Sequence, residues 1–299
     1  MSIKGIFEKE SIWIKVLFLI LLPIVLGIMF MAFSMGLTKI FGITDYVETI
    51  KLHQIMSAIG IFILSSFILA YFFSKKPLEF IGFKQPYGRT VLVAIFSIIF
   101  ALPLINFITI ICSNISLPDS LSAVEEFLTN AEKRNEELTL TLLEGNSYWD
   151  LFINITVLAL VPAVGEEMLF RGIILKSLLK NGKNIHVCIW ITALLFSLIH
   201  VQFHKFIPIL LLGGYLGYLR VWSQNIWVPM AVHFTNNLLV VLFYFFLKGN
   251  NFGLDIENVG TSGSPFILII SIILSIAAIY TVWVLCNKKQ GLTHNISET

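Results

Sequence analysis

Glu166, Glu167, Arg171, His200, His233 and Asn237 lie inside stretches that are otherwise apolar. Charged groups at membrane depth are expensive, so they mark functional sites by default. Their spacing suggests a division of labour. Glu166 and Glu167 are adjacent and would point about 100° apart on a helix. Glu167 and Arg171 are four apart with the acid first, the favoured order for a helical ion pair. Arg171 would then neutralise Glu167 and leave Glu166 free for chemistry; the competing reading makes all three one packed ion network. His233 and Asn237 share one helix face, where two donors could hold a developing oxyanion. Asn236 competes with Asn237 as a residue bonding a neighbouring helix.

His200 follows Phe196-Ser197-Leu198-Ile199. A hairpin turning near Asn181–Asn184 places Glu166 and His200 at heights within ~3 Å of each other, at about 1.5 Å rise per residue. A carboxylate and an imidazole so matched could share one water, the elementary requirement of hydrolysis. His204, four residues beyond His200, lacks the intervening Glu of a zincin motif and reads as a helix-end residue. His53, His186 and His294 sit near expected loops or termini without visible partners.

The elements that carry these residues follow from composition. Of 299 residues, 57% are hydrophobic and only 13% charged, against about 25% charged in soluble domains. Mean hydropathy is +0.87. Such a chain cannot cover a soluble globule, which excludes a cytosolic enzyme, a disordered chain and a secreted disulfide scaffold. The net charge of +2 gives no sign of nucleic-acid binding. Cys112, Cys188 and Cys286 lie in apolar stretches without zinc or disulfide spacing.

The spacing of charges locates the membrane helices. The intervals Lys15–Lys39, Lys51–Lys75, Arg89–Asp119, Lys183–Lys205, Arg220–Lys248 and Glu257–Lys288 each satisfy the ~20 apolar residues that a span needs. Lys205–Arg220 is shorter, but its flanking cations can snorkel, and Gly213, Gly214 and Gly217 permit close helix contact. Between Asp150 and Glu166 the apolar pattern resumes beyond the charges, which predicts one long helix from about Tyr148 to Lys180. The expected fold is all-α, a polytopic bundle of about eight transmembrane helices.

The first span reads as a signal anchor, because its apolar run exceeds a cleavable h-region. Fourteen Lys and Arg fall on one side of these spans and six on the other, which predicts a multi-pass cell-membrane protein with both termini cytoplasmic. The expected segments are 1–115 (helices 1–3), 116–147 (a polar amphipathic stretch), 148–250 (helices 4–7, bearing the site) and 251–299 (loop, last helix and tail). Leu121, Val124, Leu128 and Ala131 give 116–147 a helical apolar period; it could lie on the membrane surface or form a solvated linker.

Glu166-Glu167-x-x-x-Arg171, Phe196-x-x-x-His200 and His233-x-x-x-Asn237, in this order, resemble the motif set of the CAAX-protease and bacteriocin-processing (CPBP) intramembrane proteases over about Leu151 to Phe246. The resemblance implies an endopeptidase acting on a membrane-associated protein or peptide within the bilayer. By it, Glu166 activates water aided by His200, His233 and Asn237 form the oxyanion hole, and Glu167 and Arg171 support the site. The family has been described both as metal-dependent and as glutamate-dependent. The metal-free mechanism is favoured here. A zinc alternative would take Glu166, His200 and His233 as ligands and so consume the base and an oxyanion donor. A transporter, a scaffold or a bacteriocin-immunity protein that binds a peptide without cutting it remains the alternative, with Gly213-Gly214 and Pro229 as broken-helix signals. No matching halves support the transporter.

Overall fold

In a computed structural model, the structure describes residues 3–85, 88–180, 182, 184–247 and 265–297, with side chains to 246 and then 265–288. Lys248, the expected loop 251–264, the turn residues Asn181 and Lys183, and the side chain of His294 lie outside the described residues. The described chain is helical: α1 (Ile12–Ile40), α2 (Tyr46–Phe73), α3 (Pro77–Ile81), α4 (Gly88–Ser113), α5 (Ser122–Leu143), α6 (Tyr148–Lys180), α7 (Ile185–Ile199), α8 (Phe206–Ser223), α9 (Trp227–Leu247) and α10 (Pro265–Ser297).

Seven of these helices are long and apolar enough to cross a membrane by length and composition: α1, α2, α4, α6, α8, α9 and α10. The eighth expected span, α7, is the short one. α7 is apolar but has 15 residues, about 22 Å at 1.5 Å per residue against a ~30 Å hydrocarbon core, a mismatch that a bilayer meets by local thinning. Its charge-free interval is long enough, but the helix ends at Ile199 because the chain turns there. Val201 is held at φ 49°, in the left-handed region. A β-branched residue avoids that conformation unless its surroundings enforce it.

α6 runs unbroken from Tyr148 to Lys180 as expected. Ser147 caps it by accepting from the Asp150 amide, and Asp150 answers through the Ser147 amide. Within α6 the backbone widens to π-helical geometry over Ile155–Leu160 and Met168–Ile174. Such segments rotate the side chains that follow and recur at functional sites. The second one begins directly after Glu167 and contains Arg171.

Small residues set the helix approaches. A side chain on Gly217 would meet Ile189 at 2.8 Å and one on Gly214 would meet Trp190 at 3.0 Å, which is how α8 lies against α7. Gly165 does the same between α6 and α2, where a Cβ would fall 2.7 Å from Phe62. The main core joins α2, α3, α6, α7 and α9 through Leu69, Phe73, Ile81, Met168, Phe196 and Met230. A second core packs α4 and α10 with α8 and α9.

α5 is the amphipathic segment 116–147 in folded form. Glu132, Leu142 and Leu143 are buried, whereas Val124, Phe127 and Leu140 are exposed. Its end is anchored: Lys51 Nζ donates to the Glu144 carbonyl (3.2 Å) and Asn154 Nδ2 to the Leu143 carbonyl (3.0 Å).

Candidate active site

α6, α7, α8 and α9 bring the polar residues together. Glu167 and Arg171, both 0% exposed, form the local ion pair that their spacing predicts, with Arg171 Nη1 donating to Glu167 Oε1 at 2.6 Å. Arg171 Nη2 donates to the Gly213 carbonyl at 2.9 Å, so the guanidinium ties α6 to α8. Its carbon stands 4.5 Å from the centre of the Phe196 ring, a cation–π contact.

His233 enters the same cluster from α9. Its Nδ1 lies 3.0 Å from Glu167 Oε1, the oxygen that also takes Arg171, and its Nε2 lies 3.9 Å from Glu166 Oε2. Glu166 Oε2, Glu167 Oε2 and Arg171 Nε are buried without a hydrogen-bond partner in the described protein. Buried polar atoms seldom stay unsatisfied, so each of these has capacity for a water or another polar group.

His200 stands at the end of α7. Its Nδ1 donates to the Phe196 carbonyl at 2.7 Å. A carbonyl only accepts, so this bond places the ring proton on Nδ1 and leaves Nε2 as the free nitrogen. Phe170 and Phe196 meet edge to face at 5.2 Å. Each lies four residues from Glu166 and His200 respectively, so the antiparallel register holds those two at one level. The Phe196 ring also touches both imidazoles, His200 at 4.7 Å and His233 at 5.8 Å between centres.

Other expected groupings are arranged differently. No hydrogen bond or ion pair joins Glu166 directly to His200 among the described residues; the imidazole within 4 Å of Glu166 is His233. Asn237 Oδ1 accepts from Asn236 Nδ2 at 3.2 Å, which binds the two asparagines to each other. His204 pairs through Nδ1 with Glu132 Oε2 at 2.9 Å. Among the described residues no three His, Cys, Asp or Glu side chains stand together as a group that could hold a metal ion. Glu166, His200 and His233 are accordingly not grouped as a three-ligand zinc site in this arrangement.

Sequence reasoning missed the contribution of α5. Asn135 Nδ2 donates to the His200 carbonyl (3.3 Å), and Glu132 accepts from the His204 amide (3.1 Å) as well as pairing with its ring. Lys205 and Glu136 approach to 3.9 Å. No local signal could reveal these contacts, since the partners lie some seventy residues apart.

Residues 148–239 match the family model for type II CAAX prenyl endopeptidase, Rce1-like, which bears out the resemblance seen in the motifs. The uncharacterized protein YpbD of Bacillus subtilis is 32% identical over 85 residues, covering 27% of this chain. The match spans 40% of that relative's length. No solved structure matches the chain at a significant level. The family match covers the helices that assemble the polar cluster, and α1–α5 and α10 lie outside it.

Proposed function

We propose that this chain is an intramembrane endopeptidase that hydrolyses a peptide bond of a membrane-associated protein or peptide, with both termini in the cytoplasm of a multi-pass cell-membrane fold. The observation that carries the reading is the buried Glu166 Oε2, which has no protein hydrogen bond and lies 3.9 Å from His233 Nε2, inside the segment matched by the Rce1-like family.

In this mechanism Glu166 takes a proton from water as the water oxygen attacks the scissile carbonyl carbon. The carbonyl oxygen gains charge and is stabilised by donors, and the proton on Glu166 passes to the departing amine. His233 and Asn237 serve as those donors. The geometry places a condition on His233. Its Nδ1 faces a Glu167 carboxylate that also takes Arg171, so Nδ1 carries a proton. Nε2 can donate to an oxyanion only if it carries one too, which makes the working His233 an imidazolium. That form also balances the site, two carboxylates against Arg171 and His233. His200, with Nε2 free, orients the water from the opposite helix.

Glu167 and Arg171 hold His233 and the α6–α8 contact, and do not touch the substrate. Gly213, whose carbonyl takes Arg171, and Phe196, which touches Arg171 and both histidines, complete this frame. Turnover of a fluorogenic membrane peptide by purified protein in vesicles tests the reading. Cleavage lost in Glu166→Gln supports it. Tight peptide binding without cleavage by the wild type would instead favour the non-cutting immunity or transport alternative.

A further inference from the structure

About 21 Å along α6 from Glu166, by 1.5 Å per residue to Lys180, the helix ends in a cavity of about 390 Å³. Lys75, Lys76, Lys84, Lys176 and Lys180 line it, against two carboxylates, Glu8 and Glu79. Two of the lysines are matched: Lys180 with Glu8 (3.8 Å) and Lys76 with Glu79 (3.2 Å). Lys75, Lys84 and Lys176 make no ion pair among the described residues, and Arg220, Lys180 and Lys84 stand close enough to Lys176 to repel it. Arg220 itself is 5% exposed with no carboxylate partner among the described residues. Five cations converging on a concavity with two anions is an arrangement that an anionic guest stabilises.

The walls are fixed rather than loose surface. Residues 5–7 hydrogen-bond through Gly5 N to the Tyr71 carbonyl (2.8 Å) and Phe7 N to the Phe72 carbonyl (2.9 Å). The stretch after α3 is pinned by Ile226 N to the Gly82 carbonyl (3.0 Å), Asn225 Nδ2 to the Lys84 carbonyl (2.9 Å) and Arg220 Nη2 to the Ile81 carbonyl (3.3 Å). Every wall is the terminus of an apolar helix or a segment bound to one, and Ile6, Leu78 and Tyr71 beside it expose apolar surface. The cavity therefore offers cations for a phosphate where apolar surface lies within reach of acyl chains.

We propose that this cavity binds the phosphodiester headgroup of an anionic phospholipid at the Lys-rich end of the bundle. Basic pockets between membrane helices recognise such headgroups by charge and by the adjacent hydrocarbon together. The site is separate from Glu166 and does not depend on the peptidase reading.

The test uses full-length protein in a neutral detergent, titrated in parallel with phosphatidylglycerol, phosphatidylcholine and inorganic phosphate. Bound lipid is counted by native mass spectrometry and Tm is followed. Phosphatidylglycerol should bind at least about tenfold more tightly than phosphatidylcholine. Lys84→Gln with Lys176→Gln should weaken it by about tenfold or more. Lys75→Gln with Lys84→Gln, both at exposed positions, should also weaken it and guards against misfolding of the first pair. Lys133→Gln with Arg134→Gln on α5 should leave it unchanged. Equal binding of the two lipids, or wild-type affinity in both cavity variants, overturns the proposal. Inorganic phosphate that displaces phosphatidylglycerol at equal concentration would show that the occupant is a free anion and would overturn the lipid assignment.

Discussion

His233 shares Glu167 with Arg171: one carboxylate oxygen, Oε1, lies 2.6 Å from Arg171 Nη1 and 3.0 Å from His233 Nδ1. The adjacent glutamates thus have different surroundings. Glu167 is 0% exposed and bound by the Arg171 guanidinium and the His233 imidazole, whereas Glu166 Oε2 has no hydrogen bond. Burying the Arg171 charge is tolerable only with that partner in place.

Glu166→Gln preserves shape and removes the proton acceptor. Turnover should fall by roughly 10²–10⁴-fold with folded yield unchanged. Glu167→Gln strands a buried guanidinium and should destabilise the fold by about 3–5 kcal/mol, seen as a lower Tm and poor yield. The reverse pattern would reassign base and ion pair.

His233→Ala removes the proposed oxyanion donor. kcat should drop by roughly 10²–10³-fold with KM little changed. A selective rise in KM would place His233 in substrate binding instead.

A metal-free mechanism predicts that protein purified and exhaustively chelated retains full turnover. Elemental analysis and peptide cleavage, measured on the same sample, check this. Stoichiometric zinc, with activity lost on its removal and restored on its return, would replace the mechanism with one in which Glu166, His200 and His233 are ligands.

α5 should hold the turn that follows His200. Glu132→Ala removes the partner of both the amide and the ring of His204, and Asn135→Ala frees the His200 carbonyl. Each should lower kcat severalfold while Glu167 and Arg171 stay folded, with a Tm loss of a few degrees from about 1 kcal/mol per lost hydrogen bond. Wild-type kcat in the double variant would remove α5 from any role at the site.

The proposed topology predicts that a reporter fused after Lys248 behaves as extracytoplasmic and one fused after Lys289 as cytoplasmic, following the fourteen-to-six basic asymmetry. A cytoplasmic signal after Lys248 would invert the orientation.

Local features of this molecule were legible in the sequence because their physics is local. A bilayer demands about 20 apolar residues per span, so charge-free intervals located α1, α2, α4, α9 and α10, and the resumed apolar pattern gave α6 its full length through Glu166, Glu167 and Arg171. The Glu167–Arg171 pair needed only four residues of one helix. The glycines of α8 announced a close helix approach, since absence of a side chain is written in the residue itself, and the structure made α7 the partner. What joins residues distant in the chain was decided by packing alone. Phe196 came to touch Arg171 and both histidines, His233 turned its Nδ1 to Glu167, and Glu132 reached His204. Periodicity records which face of a helix is apolar and carries nothing about which helix that face will meet. The short α7 shows the same division: its interval had the length of a span, but the turn at Val201 and the α5 contacts beside it are tertiary, and they ended the helix at Ile199.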